Sequence, residues 1–295
     1  MQEVMNRIKA RAIELLSDGT VSRVIGWEKG ETAADWSPAL FETAQEMEQF
    51  VYGDYAGANL SKYTLKFKAA EGKTLVILKP CDTLSFNQLL HEHRIDREKV
   101  YIIGAGCKGM KDENGALLKC NACKGKEFIV YDEIIDDEEC RKPSGVMDRM
   151  AGVADLEKMS AEERFEFWRG ELSRCIRCNA CRNVCPACTC IKCVFDNPAS
   201  GVQSKAPVTD FEENMFHIIR AYHVAGRCTD CGECSRVCPQ GIPLHLLNRK
   251  FIKDINELYG EYQAGEEIGQ RHPLTDFTKG DVEPSIVHER GGAKA

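Results

Sequence analysis

Cys175 to Cys193 reads C-I-R-C-N-A-C-R-N-V-C-P-A-C-T-C-I-K-C, seven cysteines in nineteen residues. Its first part, Cys175-x2-Cys178-x2-Cys181-x3-Cys185-Pro186, recurs as Cys228-x2-Cys231-x2-Cys234-x3-Cys238-Pro239. A single C-x-x-C would be ambiguous between a zinc knuckle, a redox dithiol and chance. Two complete four-cysteine runs, each closed by proline, have the spacing of a bacterial ferredoxin module and predict two 4Fe-4S clusters.

In such modules the fourth cysteine of each run serves the other cluster. The expected ligand sets are Cys175, Cys178, Cys181 and Cys238, and Cys228, Cys231, Cys234 and Cys185. The first run offers only Ile176, Ala180, Val184, Ala187 and Ile191 as apolar non-cysteine residues. That is too little burial to offset the entropy of ordering the stretch. Metal–thiolate bonds are the natural replacement for a core.

The balance of 39 basic against 46 acidic residues gives a net charge of −7, so no bulk basic field favours nucleic acid. The start, M-Q-E-V-M-N-R, has no signal-peptide apolar region, and no run is long and apolar enough for a membrane span. Sixteen cysteines without a secretion signal point to metal ligation in a reducing, cytoplasmic and anaerobic setting rather than to disulfides. Length alone suggests about two domains. The expected division is an α/β (α+β) domain with a parallel sheet over 1–145, a mostly helical dicluster ferredoxin domain over 155–260 and an extended tail over 261–295.

Within the first domain, residues 1–17 read as an amphipathic helix with Val4, Ile8, Ile13 and Leu16 near one face. Val21–Trp27 reads as a strand and Ala44–Val51 as a short helix. Thr74–Lys79, a continuous apolar run, suits a buried parallel strand. A helix over 83–93 and a strand over Val100–Gly104 complete a βαβ unit. Cys81 and Cys107 then fall at the carboxyl ends of parallel strands, the edge where open α/β sheets place ligands. Cys120 and Cys123 follow on a Lys/Gly-rich loop, so Cys81, Cys107, Cys120 and Cys123 can converge on a third cluster. The competing reading is two inert buried cysteines beside a zinc-type C-x-x-C.

Gly104-Ala105-Gly106-Cys107-Lys108-Gly109 matches the G-x-G-x-x-G dinucleotide fingerprint, but the fingerprint needs a helix at its third glycine and Met110–Gly115 reads as a turn. These glycines are expected to let backbone N–H groups approach sulfur. Lys79, Lys108, Lys111, Lys119, Lys124 and Lys126 surround these cysteines, either as a solvated face or as a docking patch. Residues 132–139 read as an acidic exit and Pro143–Gly145 as a linker. Capping boxes at Ser160-x-x-Glu163 and Thr209-x-x-Glu212 open helices, and residues 244–258 form a last one. His217 and His223 read as packing or surface residues. Cys140, Cys188, Cys190 and Cys193 remain. Cys188-x-Cys190-x2-Cys193 extends the first run and suggests a further metal site, a fourth cluster or zinc, with Cys140 or a partner residue as fourth ligand.

At K-P-C-D (79–82), G-A-G-C-K-G (104–109) and C-N-A-C (120–123), followed by the ferredoxin runs, the chain resembles the iron–sulfur beta subunits of deazaflavin-reducing hydrogenases and formate dehydrogenases and their heterodisulfide-reductase-associated relatives. The resemblance covers most of residues 1–260. It implies an electron-transfer subunit that relays single electrons inside a larger complex with a flavoprotein, hydrogenase or formate dehydrogenase. Catalytic members of that family bind FAD and reduce deazaflavin on a larger flavin domain, whereas only about 150 residues precede the ferredoxin runs here. A flavin-containing reductase acting on deazaflavin or nicotinamide is therefore the alternative. A zinc-stapled scaffold is a third reading.

Overall fold

The structure is a computed structural model that describes residues 1–196 and 210–269, with the side chains of 210–213 left out. The first half is a five-stranded sheet in the order β2-β1-β3-β4-β7. Its strands are β1 (Arg23–Lys29), β2 (Trp36–Phe41), β3 (Thr74–Leu78), β4 (Val100–Ala105) and β7 (Glu133–Ile135). All neighbours are parallel except β1 and β2. Every residue of β3 is buried, as a strand covered on both faces requires.

α1 (Gln2–Ser17) covers the sheet with Val4, Ile8, Ala12 and Leu15. Ile13 and Leu16, expected inward, pack only at the margin of that stripe. The expected helix over Ala44–Val51 is reduced to a 3-10 turn at Glu46–Gln49. The backbone is drawn away there, because the Val51 N–H donates to the Trp27 carbonyl at 2.9 Å and Phe50 packs edge-on against Phe41. β2 has no clear signal in W-S-P-A-L-F. It tolerates Pro38 because it is the edge strand. β7 lies inside the expected acidic exit: Glu133 pairs with Arg11 at 2.9 Å while Ile135 turns inward.

α2 (Pro80–His91) starts directly after β3, with Pro80 at its first position and Lys79 extended before it. The helix therefore begins three residues earlier than expected and carries Cys81 in its first turn. After β4 the chain makes a hairpin of β5 (Lys111–Asp112) and β6 (Gly115–Ala116), then a short α3 (Leu118–Asn121). No helix opens at Gly109, so the dinucleotide fingerprint lacks its phosphate-binding element.

From residue 150 onward the described residues form helices: α4 (Ala151–Lys158), α5 (Ala161–Ser173), α6 (Ala180–Val184), α7 (Asp210–His223), α8 (Glu233–Arg236) and α9 (Leu244–Tyr259). α4, which no sequence signal marked, buries Val153 and Leu156. The capping box of α5 is present in both directions, Glu163 N–H to Ser160 Oγ at 3.2 Å and Ser160 N–H to Glu163 Oε2 at 2.8 Å. Of its apolar residues Leu172 is buried, Trp168 packs beside it and Phe165 is exposed. The Thr209 cap lies outside the described residues, as does the tail beyond residue 269. Residues 261–269 are packed rather than extended: Tyr262 Oη donates to the Gly226 carbonyl at 2.9 Å, and Asn87 Nδ2 donates to the Gly265 carbonyl at 2.8 Å.

The two halves are locked together by buried polar groups. Glu233 is fully buried and receives Lys119 Nζ at 2.8 Å, Arg236 at 2.7 and 2.9 Å and the Asn59 N–H at 3.2 Å. Ser85 and Thr229 share a hydrogen bond of 2.8 Å, and Arg227 Nε donates to Glu92 at 2.8 Å.

Candidate metal centres

The repeated runs fold alike. Arg177 and Asn179, on either side of Cys178, have left-handed φ values of 52° and 62°; Asp230 and Gly232, on either side of Cys231, have 53° and 70°. Asn, Asp and Gly tolerate this region at low cost, so the repeat reaches below the cysteines to the turn residues. Each left-handed pair brackets the second cysteine of its run, and the short helices α6 and α8 that follow pack against each other.

Cys175, Cys178, Cys181 and Cys238 line one hollow, together with Phe216 and His217 of α7. The fourth cysteine of the second run thus meets the first three of the first run. Cys185 makes the reciprocal crossing, since Cys228, Cys231 and Cys234 each feel its charge, and Cys185 and Cys228 share one small buried cluster. Burial pushes the Cys181 and Cys234 thiols up to about 11 and raises Cys228 and Cys231 as well, while Cys185 is raised by its hydrogen bond with Cys188 and then by burial. Thiols so placed stay protonated until a cation compensates their charge.

A third hollow is lined by Cys81, Cys107, Cys120 and Cys123, and also by Asp230 and Cys231 of the second run. Cys81 stands at the carboxyl end of β3 and Cys107 just past β4, strands paired in register from Thr74↔Val100 to Leu78↔Gly104. Backbone N–H groups reach the sulfurs from the glycine-rich loop: Gly109 to Cys107 Sγ at 3.3 Å and Met110 to Cys120 Sγ at 3.2 Å. Gly109, at φ +99°, supplies the turn. Burial, then Asp82, pushes the Cys81 thiol up to about 12.

The six lysines divide: Lys108 and Lys111 are exposed, and the other four turn inward. Lys79 is fully buried, 2.7 Å from Asp82 and hydrogen-bonded to the Ala56 and Ala58 carbonyls. Lys119 joins Glu233, Lys108 joins Asp137 at 3.3 Å and Lys111 joins Asp54 at 2.9 Å. Lys124 caps the Thr229 carbonyl, and Lys126 caps the Cys107 carbonyl and Ser144 Oγ. Four of them brace the cysteine-bearing loops from inside.

No disulfide joins any of the sixteen cysteines. Among the described residues no three His, Cys, Asp or Glu side chains are arranged to hold a single metal ion. The thiols instead surround hollows, the arrangement a multi-iron core bridges. A second observation fits such a core. Arg220 is 1% exposed, and none of its three guanidinium nitrogens has a hydrogen-bond partner. Its nearest charges are Cys234, Cys181, Cys185 and Cys188. A buried unpaired guanidinium is costly, and an anionic group held by the neighbouring thiols would compensate it.

Cys188, Cys190 and Cys193 line another cavity, and Cys140 is not among its walls. Cys140 is buried in the first half, its Sγ 3.8 Å from Met1 Sδ and its N–H held by Asp137 at 2.8 Å. The structure therefore does not bring Cys140 to the three thiols. Arg220 carries no motif, and only its position on the inward face of α7 beside Phe216, His217 and Val224 marks it.

Residues 171–242 match the 4Fe-4S dicluster domain family. Across the longer chain, the F420-dependent formate dehydrogenase subunit beta of Methanocaldococcus jannaschii is 22% identical over an alignment covering 83% of this chain and 88% of the relative. The F420-dependent formate dehydrogenase 1 subunit beta of Methanococcus maripaludis is 22% identical over 72% of this chain and 78% of its own length. The first alignment has 337 positions yet spans 83% of 295 residues, so about ninety positions are filled in the relative alone. The chain is thus similar along most of its length to formate dehydrogenase beta subunits, and its residues 171–242 match a 4Fe-4S dicluster domain.

Proposed function

We propose that the chain is an electron-transfer subunit of a larger oxidoreductase complex of the formate dehydrogenase, hydrogenase or heterodisulfide-reductase type. The reading rests above all on the meeting of Cys238 with Cys175, Cys178 and Cys181 around one hollow. The 4Fe-4S clusters, when bound, accept and release single electrons, and the protein sets their spacing and potential. Cys175, Cys178, Cys181 and Cys238 hold one; Cys228, Cys231, Cys234 and Cys185 hold a second; Cys81, Cys107, Cys120 and Cys123 hold a third at the sheet edge. Cys231 and Asp230 border that third hollow, which makes the second centre the neighbour of the third. The working division is an α/β domain at 1–145 and a helical dicluster domain at 155–260, acting in a reducing cytoplasm. No described helix is long and apolar enough to cross a membrane.

The flavin reading, in which the chain exchanges hydride with deazaflavin or nicotinamide, is favoured by the relatives' F420-dependent activity and disfavoured by the roughly ninety positions missing here. Anaerobic purification separates the two. The relay predicts bound iron and sulfide without flavin absorbance, and no turnover of formate, hydrogen or nicotinamide by the chain alone. Only an artificial carrier or a partner subunit discharges it. Flavin in the purified chain, or sustained turnover of any one of those substrates, would sink the relay reading.

A further inference from the structure

Cys188, Cys190 and Cys193 share an open cavity of about 560 Å³ with His223, from the last turn of α7. The wall is cationic and under-compensated. Arg220 lines it with three unpartnered buried nitrogens, and Thr189 Oγ1 is likewise buried without a partner. Lys62 joins the wall, its Nζ donating to the Arg182 carbonyl at 3.2 Å. Arg182 answers the lining carboxylate, Asp196, at 2.8 Å. A pocket with this excess of buried positive charge calls for an anionic occupant.

The three thiols identify that occupant's chemistry. A zinc ion would draw each sulfur to about 2.3 Å, whereas no three such side chains among the described residues stand close enough for a single ion. Cys188 packs against Cys185, and its N–H donates to the Cys185 carbonyl at 3.1 Å. Cys185 is the crossing ligand of the second centre, so the cavity is its direct neighbour.

We infer that Cys188, Cys190, Cys193 and His223 hold a fourth 4Fe-4S cluster, with Arg220 as the buried cation beside it. The inference rests on the reading of the ferredoxin runs as cluster ligands. His223 takes the place expected of Cys140, which the fold keeps in the other half. A neutral imidazole in place of one thiolate removes one negative charge from the ligand set, the direction in which histidine ligation raises the potential of an iron–sulfur centre. One electron then passes from the second centre to this one with no bond made or broken, the second centre being oxidised and the fourth reduced. The site acts as a one-electron store branching from the relay.

The test uses the full chain purified anaerobically, as wild type, as the Cys188→Ser/Cys190→Ser/Cys193→Ser variant and as His223→Ala. Iron and zinc are counted, and redox-titrated electron paramagnetic resonance is combined with detection of nitrogen-14 hyperfine coupling. The wild type is expected to show a signal titrating above the ferredoxin pair and carrying nitrogen coupling. The triple variant is expected to lose that signal and about four irons while keeping the ferredoxin signals. His223→Ala, at an exposed side chain, is expected to lose the nitrogen coupling, a readout that stands even if the triple variant does not fold. Unchanged iron in the triple variant, zinc in place of iron, or coupling that survives in His223→Ala overturns the inference. Absence of the ferredoxin signals from the wild type overturns the relay itself.

Discussion

Lys119 Nζ stands 2.8 Å from Glu233 Oε1, with the Lys119 side chain 9% exposed and Glu233 wholly enclosed. Lys119 precedes Cys120 and Glu233 precedes Cys234, so this ion pair ties the third candidate centre to the second as well as one half of the fold to the other. Burial alone would raise the Glu233 carboxyl, but Lys119 and Arg236 outweigh it and hold it down at about 2.

Glu233→Gln is expected to cost about 3–5 kcal/mol, because it leaves the Lys119 ammonium buried without its partner. The folded-state pKa lies below the ordinary 4.5, so the contribution is complete above about pH 4.5 and is lost as pH falls towards 2. Denaturant unfolding should therefore give the same wild-type-to-variant difference at pH 8 and pH 6. A difference under 1 kcal/mol would mean that the pair is replaceable by solvent.

Cys81→Ser and Cys107→Ser should each remove one cluster, about four irons per chain, and spare the ferredoxin pair. Their thiols line the hollow at the sheet edge and no other described one that carries a ferredoxin ligand set. Iron analysis with the spectrum of the remaining clusters decides, and constant iron in both variants removes the third-cluster assignment.

Arg220→Met should lower the midpoint potentials of the ferredoxin pair, since a fixed buried cation near Cys181, Cys185 and Cys234 favours the added electron. A unit charge at roughly 8 Å in an effective dielectric of about 20 is worth on the order of 100 mV. Arg220→Lys keeps the charge and should stay near wild type. Equal potentials in the Met and Lys variants would show that the guanidinium acts through packing alone.

Gly106→Ala should disturb the third centre without touching a thiol. An added Cβ would meet Asp136 Cβ at 2.6 Å, Asp136 Cα at 2.8 Å and Cys140 Cβ at 2.8 Å, and the Gly106 carbonyl is also held by Tyr52 Oη at 2.9 Å. The cost expected is about 1–3 kcal/mol of overpacking with reduced iron at that centre. Full iron and unchanged unfolding would mean that the loop shifts freely.

Local chemistry made part of this protein legible in the chain itself. The spacing of the two cysteine runs carries their own turn geometry, because left-handed positions beside Cys178 and Cys231 fall on Asn179, Asp230 and Gly232, residues that accept them. The apolar runs at 74–78 and 100–105 could bury on both faces only as neighbouring parallel strands, which put Cys81 and Cys107 at one edge. Tertiary packing decided what no local signal encodes. β2 and β7 exist through pairing with β1 and β4, and the helix expected at 44–51 yields to a bond from Val51 to the Trp27 carbonyl of β1. Lys79, Lys119, Lys124 and Lys126 became internal braces because carbonyls and carboxylates from distant segments close on them. Cys140 stays away from Cys188, Cys190 and Cys193 for the same reason: proximity in a fold is set by which helix packs on which sheet, and 48 residues of separation say nothing about it.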